Sequence, residues 1–477
     1  MRRLLFILFL TTSPVAAQPP KLAVLIVVDQ FPSSHLHRMP SHGALLGVLE
    51  RAAAFQDARQ DHVPTATAPG HASISTGRSP AVHGIIGNEI YDRTTGKAEA
   101  AIADSVNGAS AARLAVPTLA DAVRKKYPES RVVSVSIKDR AAILLGGKSP
   151  TAALWFDKWK HGFVTSKAYG ERPAWVDPVN ESLSWLLSDV KAPFTKADWS
   201  ASPAADQAVL SLALGALRAE QMGRHDTPDL LLISFSATDA IGHHWGPDSP
   251  QMAAQLVELD KRLGELFAAT ESAAPGRVVY AFTSDHGVLP VPESEAGLRM
   301  KARRENPDAL RKRLEARLQG AKPAPGQPWI LHLDPPDIYL NRNLAGAAGD
   351  WAGWLRMAAS LLSREPDVAA VYVPGVPAGS DKFSGIYQRS YFAGRSGDLQ
   401  IRLEPGLLLS GWPTGTNHGS PYPYDMTVPL LLWGAGIRPV QSWQEVSVES
   451  LAPTLATVLG VDLPAADGRV LTEALKP

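Results

Sequence analysis

The chain has 477 residues, of which 45% are hydrophobic and 20% charged, a composition typical of a globular protein with a large core. Basic and acidic residues number 47 each, so the net charge of zero gives no general attraction to nucleic acid or to an anionic membrane. The chain has no cysteine, which excludes disulfides, thiolate metal ligands and a thiolate nucleophile.

The N-terminus has the pattern of a cleaved signal peptide over residues 1–17. The basic pair Arg2-Arg3 precedes a short apolar run at 4–10, and the small residues Val15-Ala16-Ala17 form the cleavage signal. We therefore expect a periplasmic or secreted protein whose mature chain begins near Gln18, with an N-terminal membrane anchor as the alternative. No later stretch reaches the roughly 18 apolar residues of a membrane span, so no integral membrane segment is expected in the mature chain.

Five short apolar runs have the composition of buried parallel strands, and helical patterns lie between them. The strand-like runs are 22–28, 131–137, 230–235, 278–282 and 429–433. The helical patterns include 117–126, 251–269 and 451–459, the last followed by Gly460 as a C-cap. This alternation predicts an α/β fold with a central, mostly parallel sheet sandwiched by helices.

Two regions interrupt this alternation and are expected to form cap insertions over one edge of the sheet. Residues 141–205 are rich in Trp, Lys and Pro. Residues 295–410 contain a charged helical pattern at 301–318, then a Pro-rich stretch and strand-like runs at 330–339 and 368–373. The prediction is one domain over residues 18–477, with its core at about 18–140, 206–294 and 411–477.

Acidic and histidine residues follow the apolar runs at their C-terminal ends, where open α/β sheets bind their ligands. These residues are Asp29, Asp239, His243, Asp285 and His286. Carboxylate oxygen and neutral imidazole nitrogen are the zinc ligands available without cysteine, and the same donors also accept manganese or cobalt. Asp239 and His243 are four residues apart, about one helical turn, so one ion can contact both. His418 is a candidate for completing the set.

The segment PTATAPGH places Thr67 at the predicted start of a helix, with Pro69 in its first turn. Thr67 is expected to be the N-cap residue, and a purely capping role is one interpretation. The second is catalytic, because free N–H groups and the dipole make a helix N-terminus an anion site. A hydroxyl beside a metal ion at that point is easily deprotonated and is directed at a bound phosphate.

Together these stretches resemble the alkaline phosphatase superfamily, in the branch that contains nucleotide pyrophosphatase/phosphodiesterases and PafA-type bacterial alkaline phosphatases. The similarity spans nearly all of the mature chain. The matching stretches are the strand ending at Asp29, PTATAPGH, STGRSPAVHGIIGN ending at Asn88, SIKDRAAILLGG, SATDAIGHHWGPDS, TSDHG, TNHGSPYPYD and SLAPTLATVLGV.

The resemblance implies a role for each matching residue and a cofactor of two zinc ions per chain. One zinc would be held by Asp239, His243 and His418. The other would be held by Asp29, Asp285 and His286, with Thr67 as a further ligand and as the nucleophile that forms a phosphothreonine. Asn88, Lys138 and Arg140 would bind the phosphoryl oxygens. Lys138 and Arg140 match the pair that marks PafA-like monoesterases, so small-molecule phosphate monoesters are the expected substrates.

Other functions compete with this interpretation. A phosphodiesterase or nucleotide pyrophosphatase shares both zinc sites and the threonine, but the Lys138 and Arg140 pair argues against it. A sulfatase requires cysteine or serine where Thr67 stands, and a phosphoethanolamine transferase normally carries a membrane domain. The remote alternative is a zinc-stabilised binding protein that has lost catalysis.

Overall fold

The computed structural model describes residues 19–477 except 189–193, 195, 378 and 465. The predicted signal peptide, residues 1–17, lies outside the described residues. Within the described ranges, none of the helices has the length and apolar character needed to cross a membrane.

The strands and α-helices alternate along most of the chain. The strands are β1 Leu22–Val28, β2 Ala53–Arg59, β3 Glu89–Asp92, β4 Lys97–Ala100, β5 Ala103–Asp104, β6 Gly108–Ala109, β7 Val132–Ser136, β8 Ala152–Asp157, β9 Gly162–Val164, β10 Asp229–Phe235, β11 Val278–Thr283, β12 Arg303–Glu305, β13 Ile330–Asp334, β14 Asp337–Leu340, β15 Val368–Tyr372, β16 Leu399–Leu403, β17 Leu407–Leu409, β18 Leu430–Gly434 and β19 Val440–Ser447. The helices are α1 Thr67–Thr76, α2 Pro80–His83, α3 Leu119–Lys126, α4 Asp139–Gly146, α5 Asp177–Ser188, α6 Pro203–Ala219, α7 Ala237–Trp245, α8 Pro250–Ala273, α9 Glu295–Arg299, α10 Pro307–Ala321, α11 Ala345–Ala348, α12 Trp351–Leu362, α13 Ser384–Ser390, α14 Pro423–Met426 and α15 Leu451–Leu459.

A nine-stranded sheet forms the centre of the fold, in the order β19-β2-β18-β11-β1-β10-β7-β8-β9. β1 pairs in parallel with β10 and β11 on its two sides, and β7 continues the parallel arrangement beyond β10. Only β18 and β9 oppose the direction of the other strands in this sheet. The predicted mostly parallel central sheet is confirmed.

The apolar run at 429–433 forms β18, and the prediction that it is a parallel strand is wrong. β18 is antiparallel to both β11 and β2. An apolar run has the same composition in either direction, so it does not encode its orientation. The direction follows from the preceding loop: Leu430 pairs with Thr283 at the C-terminal end of β11, so the chain enters β18 from that edge of the sheet.

Alternate residues of β1 pack into two hydrophobic cores on opposite faces of the sheet. Val24 and Ile26 belong to the core covered by α6 and α8, whereas Leu25 belongs to the core covered by α3 and α15. Burial on both faces accounts for the continuous apolar sequence of β1.

Helix α3 begins with a capping box between Thr118 and Asp121, which satisfies backbone N–H groups at the helix start.

The region predicted as the second cap insertion contains a separate antiparallel sheet, in the order β13-β14-β16-β15. It packs with α10 and α12 around a core of its own, centred on Trp329 and Trp354. The helix expected at 301–318 begins later, at α10, because residues 303–305 pair as β12 with β17 and Asn306 caps the helix through the Asp308 and Ala309 N–H groups.

The region predicted as the first cap insertion, 141–205, contains a strand of the central sheet. Strand β8 lies within it and pairs in parallel with β7, so this strand extends the central sheet and does not cover it. Its first residues, Ala152 to Leu154, are buried like those of the other central strands. The division of the chain into a core and two caps stays a prediction.

Candidate active site

Three neighbouring strands of the central sheet end beside the acids that follow them in sequence. Asp29 follows β1, Asp239 lies in α7 directly after β10, and Asp285 comes two residues after β11. Because β1 lies between β11 and β10, Asp29 is flanked by the other two acids. The Asp29 N–H donates to the Phe235 carbonyl (2.8 Å), which continues the β1–β10 ladder beyond the end of the strand.

The inner group consists of Asp29, Asp285 and His286, whose ligand atoms lie within 4.8 Å of one another. His286 Nε2 is 3.5 Å from Asp29 Oδ1 and 3.5 Å from Asp285 Oδ2. All three side chains are fully buried, and these three atoms have no hydrogen-bond partner among the described residues. His71 Nδ1, which donates to the Thr67 carbonyl, lies 3.2 Å from Asp285 Oδ2. Facing buried lone pairs without a hydrogen bond fit a cation, which takes a lone pair from each of them. The inner group therefore fits the predicted metal ion.

The outer group consists of Asp239, His243 and His418. His243 Nε2 lies 3.2 Å and His418 Nε2 3.6 Å from the same atom, Asp239 Oδ1. The His243 side chain is 37% exposed, compared with 6% for Asp239 and 7% for His418. The compact set of donors within 4.8 Å is Asp239, His418 and His286. His286 thus faces both groups, and His243 contacts Asp239 from outside the compact set.

The three histidines share one hydrogen-bonding arrangement. Each places Nδ1 beside a backbone carbonyl: His243 at Thr416 (2.9 Å), His286 at Gly287 (2.9 Å) and His418 at Thr65 (2.6 Å). A carbonyl oxygen only accepts, so Nδ1 carries the proton and Nε2 of the neutral ring carries the lone pair. Such carbonyl partners fix the tautomer and ring orientation of histidine ligands in metal sites.

The pKa values of His286 in the inner group and His243 in the outer group shift in opposite directions. Burial lowers the pKa of His286 well below its usual value, and the neighbouring His418 lowers it further. Burial acts on His243 in the same direction, but the charge and hydrogen bond of Asp239 outweigh it and raise the pKa of His243. Burial, together with the charges of Asp239 and Asp285, raises the pKa of Asp29. This crowding of carboxylates is the electrostatic setting that a cation relieves.

Thr67 is the first residue of α1 and lies beside the two groups. The prediction that Thr67 is the N-cap is wrong, because Ala66 holds the extended cap conformation (φ −142°, ψ 162°) and Thr67 is already helical. The Thr67 hydroxyl oxygen accepts a hydrogen bond from Lys138 Nζ at 3.3 Å. The hydroxyl therefore belongs to the polar cluster at the strand ends.

Two further residues of the PTATAPGH segment hold α1 against the inner group, and sequence reasoning assigned neither a role. A Cβ atom on Gly70 would lie 2.5 Å from the Asp285 carbonyl oxygen, so only glycine allows this approach. His71 is fully buried and places Nδ1 2.8 Å from the Thr67 carbonyl and Nε2 2.8 Å from Ser234 Oγ. In the sequence, the position of Gly70 and His71 inside the PTATAPGH motif was the feature that could have indicated these roles.

Lys138 joins the two groups. Its Nζ lies 2.6 Å from Asp29 Oδ2 and 2.6 Å from Asp239 Oδ2, one carboxylate from each group. Burial tends to lower the pKa of Lys138, but the charges of Asp239 and Asp29 raise it, so the side chain is an ammonium. The positive charge of Arg140 acts in the opposite sense and lowers the pKa of Lys138. Arg140 lies in the first turn of α4, 30% exposed and 3.9 Å from Asp139.

Asn88 lies next to the start of α1. Its Oδ1 accepts a hydrogen bond from the Ala68 N–H at 2.9 Å. Because a backbone N–H can only donate, the amide oxygen must take this position, and the amide nitrogen remains as a donor. This orientation suits the predicted hydrogen bond from Asn88 to a phosphate oxygen.

The loop carrying His418 is held by Asp425, which sequence reasoning quoted in TNHGSPYPYD without a role. Asp425 Oδ2 accepts from the Gly419 and Ser420 N–H groups at 3.1 and 2.8 Å and from the Ser420 hydroxyl at 2.6 Å. A cavity of about 290 Å³ adjoins this loop and is lined by His418 together with Leu333 and residues of β16 and β17. The small antiparallel sheet thus reaches the outer group.

Comparisons with known proteins agree with one another along nearly the whole chain. The model of the family described as type I phosphodiesterase / nucleotide pyrophosphatase matches residues 23–421. Alkaline phosphatase PhoD of Zymomonas mobilis subsp. mobilis is 30% identical, over 94% of this chain and 88% of that protein. Alkaline phosphatase PafA of Elizabethkingia meningoseptica is 29% identical, over 96% of this chain and 95% of that protein.

Solved structures are similar in the same way. The crystal structure of wild-type alkaline phosphatase PafA superposes with a TM-score of 0.87 at 27% identity, covering 97% of this chain and all of that one. A murine ectonucleotide pyrophosphatase / phosphodiesterase 5 has a TM-score of 0.60 at 16% identity over 96% of this chain, a likeness of fold alone.

Proposed function

The chain belongs to the type I phosphodiesterase / nucleotide pyrophosphatase family, and we propose that it is an exported, zinc-dependent alkaline phosphatase that hydrolyses phosphate monoesters through Thr67. The resemblance to the alkaline phosphatase superfamily seen in the sequence is confirmed. The relatives named alkaline phosphatase support a phosphoric monoester hydrolase. The zinc ions, the phosphothreonine and the export rest on the sequence patterns and the site geometry.

One observation carries the proposal. The Lys138 ammonium lies within 3.3 Å of the Thr67 hydroxyl and 2.6 Å from a carboxylate of each group. A hydroxyl, a cation and two sets of metal-ligand donors thus meet at the C-terminal edge of the sheet, beside the first turn of a helix. Nucleophile, charge stabilisation and anion-binding N–H groups are the parts that phosphoryl transfer requires.

The donor set supports two zinc ions. Asp29, Asp285 and His286 would hold one, and Asp239, His243 and His418 the other, with oxygen and nitrogen donors only. Zinc suits this set of carboxylate and imidazole donors, which contains no thiolate. When bound, the ions act as Lewis acids that lower the pKa of the attacking hydroxyl and stabilise charge on the attacking and leaving oxygens.

The residues of the chain supply the rest of the reaction. Thr67 Oγ forms a bond to phosphorus while the bond to the ester oxygen breaks, and the alcohol leaves with a proton. Water then hydrolyses the phosphothreonine, releasing inorganic phosphate and restoring Thr67. Asn88 donates its amide to one phosphoryl oxygen, while Lys138 contributes a point charge and Arg140 a planar fork to the others.

A phosphodiesterase or nucleotide pyrophosphatase is the second candidate, favoured by the description of the family. It would use the same Thr67 and the same two metal groups. A monoester carries one more negative charge and one more free oxygen than a diester. Lys138 and Arg140 match that extra charge, which is why we place monoesterase activity first.

A hydrolysis panel on the metal-loaded protein tests the proposal. An aryl phosphate and the bis-aryl phosphate with the same leaving group are compared before and after chelation, and again after zinc is returned. We expect two transition ions per chain, strong preference for the monoester, loss of turnover on chelation and recovery with zinc. Preference for the diester would favour the second candidate. No turnover with two ions bound would favour a zinc-stabilised binding protein.

A further inference from the structure

Gln30 is fully buried at the candidate active site, directly after Asp29, and has an unusual backbone conformation. Its φ is 58°, in the left-handed region that non-glycine residues rarely adopt. Such a conformation costs free energy and persists where surrounding contacts enforce it, most often at functional sites. Gln30 therefore requires an explanation beyond its place at the end of β1.

Both polar ends of Gln30 contact candidate metal ligands, one from each group. Its backbone N–H donates to Asp285 Oδ1 of the inner group at 3.1 Å. Its side-chain Nε2 donates to Asp239 Oδ1 of the outer group at 2.8 Å. A carboxylate only accepts, so the amide must present its nitrogen to Asp239. With this left-handed backbone, one residue contacts both acids.

Space for this side chain comes from Gly242, in the same helix as Asp239 and His243. A Cβ atom on Gly242 would lie 1.7 Å from Gln30 Oε1, and its three nearest atoms all belong to Gln30. Gln30 Oε1 itself has no hydrogen-bond partner among the described residues. The amide is thus held by packing against α7 and by its bond to Asp239, at the cost of one unpaired acceptor.

We propose that Gln30 is a positioning residue that fixes the Asp239 carboxylate of the outer group relative to Asp285 of the inner group. This inference rests on the proposed function, because it presumes that the two groups bind metal ions. A neutral amide suits this role because it orients a carboxylate without adding a charge that would compete with a cation. The two contacts are separable, because a side-chain substitution removes the bond to Asp239 and keeps the backbone bond to Asp285.

The test titrates the metal-free protein with Co²⁺, using its visible absorption and the bound ions per chain. Gln30→Met keeps the length of the side chain and removes its donor. We expect the outer-group ion to bind about 10- to 100-fold more weakly, the usual effect of losing a partner of a metal ligand. We expect the inner-group ion to bind as in the wild type. Thermal stability without metal should change little, because the unpaired acceptor leaves together with the donor.

Gln255→Met is the matched control. Gln255 is also fully buried, and its Nε2 donates at 2.6 Å to Asp206, a carboxylate outside both groups. Gln255 Oε1 is also unpaired among the described residues, so this variant removes the same pair of polar atoms as Gln30→Met. It should keep wild-type affinity and absorption for both Co²⁺ ions. The same loss of Co²⁺ in Gln255→Met would mean that any buried amide has this effect, and would overturn the proposal.

A pair of substitutions tests the geometry and covers the case in which Gln30→Met fails to fold. Gly242→Ala should displace the Gln30 amide and weaken the outer-group ion as Gln30→Met does. In a Gln30→Gly background, which keeps the left-handed backbone at low cost, the same Gly242→Ala change should have no further effect on Co²⁺ affinity. Independent effects of the two changes, or two wild-type-like ions in Gln30→Gly, would overturn the inference.

The wild-type titration separates this inference from the proposed function. Fewer than two ions in the wild type would contradict the two-metal proposal itself. Two ions in the wild type, with unchanged affinity and absorption in Gln30→Met, would contradict only the role of Gln30.

Discussion

The inner and outer groups use similar donors but differ in their access to water. The inner side chains, Asp29, Asp285 and His286, are fully buried, whereas 37% of the His243 side chain in the outer group is exposed. Burial keeps His286 neutral, while Asp239 raises the pKa of His243. His286 can therefore bind a cation without first releasing a proton, whereas the raised pKa of His243 favours its protonated form.

Because of this difference in burial, we expect the two groups to have different roles in the reaction. Thr67 lies at the start of a fully buried helix whose Gly70 packs against Asp285, so the buried side of the site positions the hydroxyl that we propose as the nucleophile. A leaving alcohol and the incoming water must exchange with solvent, and of the two groups the outer one offers them a path at His243. We infer that the inner group serves the attacking oxygen and the outer group the leaving one.

The largest loss of activity is expected from replacing Thr67, which lies on the buried side of the site. Thr67→Ala should lower kcat for an aryl phosphate by several orders of magnitude, because the attacking oxygen is removed, and Thr67→Ser should retain much of the activity. The free energy of unfolding should change little, since Thr67 is a helical residue and not the cap. A capping threonine would instead cost about 0.5 to 2 kcal/mol of stability and spare turnover. Steady-state kinetics with chemical denaturation distinguishes the two outcomes.

The second prediction concerns the cations that join the two sides. Replacing both, Lys138→Ala with Arg140→Ala, should lower monoester kcat/KM by about 10² to 10³-fold, because charge-assisted bonds to the phosphoryl oxygens are lost. The diester with the same leaving group should lose less, because it carries less charge. Metal content is measured in the same samples, since Lys138 also pairs with Asp29 and Asp239. Equal losses on both substrates would make the diesterase the better interpretation.

The sequence predicted much of this site because strand ends in an open α/β sheet meet at one edge. Asp29, Asp239 and Asp285 follow three strands that the fold places side by side. The left-handed backbone of Gln30 and the close approach of Gly70 to Asp285 depend on contacts between segments that are distant in the chain. No local pattern encodes such contacts, and the direction of β18 escaped prediction for the same reason.

The third prediction concerns the pH dependence of metal binding by the two groups. Metal binding requires neutral imidazole, so a raised pKa at His243 makes protons compete at a higher pH than they do at His286. As pH falls, the contrast between the two histidines should release the outer ion first, its affinity dropping by up to about tenfold per pH unit below the pKa of His243. Loss of the inner ion first would mean that the raised pKa of Asp29 decides the order instead. Elemental analysis after dialysis at decreasing pH should reveal a one-ion species that retains the inner ion. Simultaneous loss of both ions would remove the proposed contrast in protonation.

The smallest effect is expected from changing the close packing of Gly70 against Asp285. Gly70→Ala places a Cβ atom 2.5 Å from the Asp285 carbonyl oxygen and 2.7 Å from the Asp285 Cβ, so either α1 or the loop after β11 must move. Forcing one methyl group into such a contact costs about 1 to 3 kcal/mol of stability. The matched control is Gly320→Ala near the end of α10, where a Cβ meets no atom within 4 Å. Relief of glycine's backbone entropy there should raise stability by at most about 0.5 to 1 kcal/mol.

The two glycine variants should also differ in catalysis. Gly70→Ala should shift Thr67 relative to the inner group, so we expect kcat to fall while KM changes less. The displacement affects the attacking oxygen more than the phosphate contacts proposed for Lys138 and Arg140. Gly320→Ala should leave both constants unchanged. If Gly70→Ala lost stability but kept full kcat, the alignment of Thr67 would tolerate movement of its helix. The closed inner side would then matter for folding and not for the placement of the nucleophile.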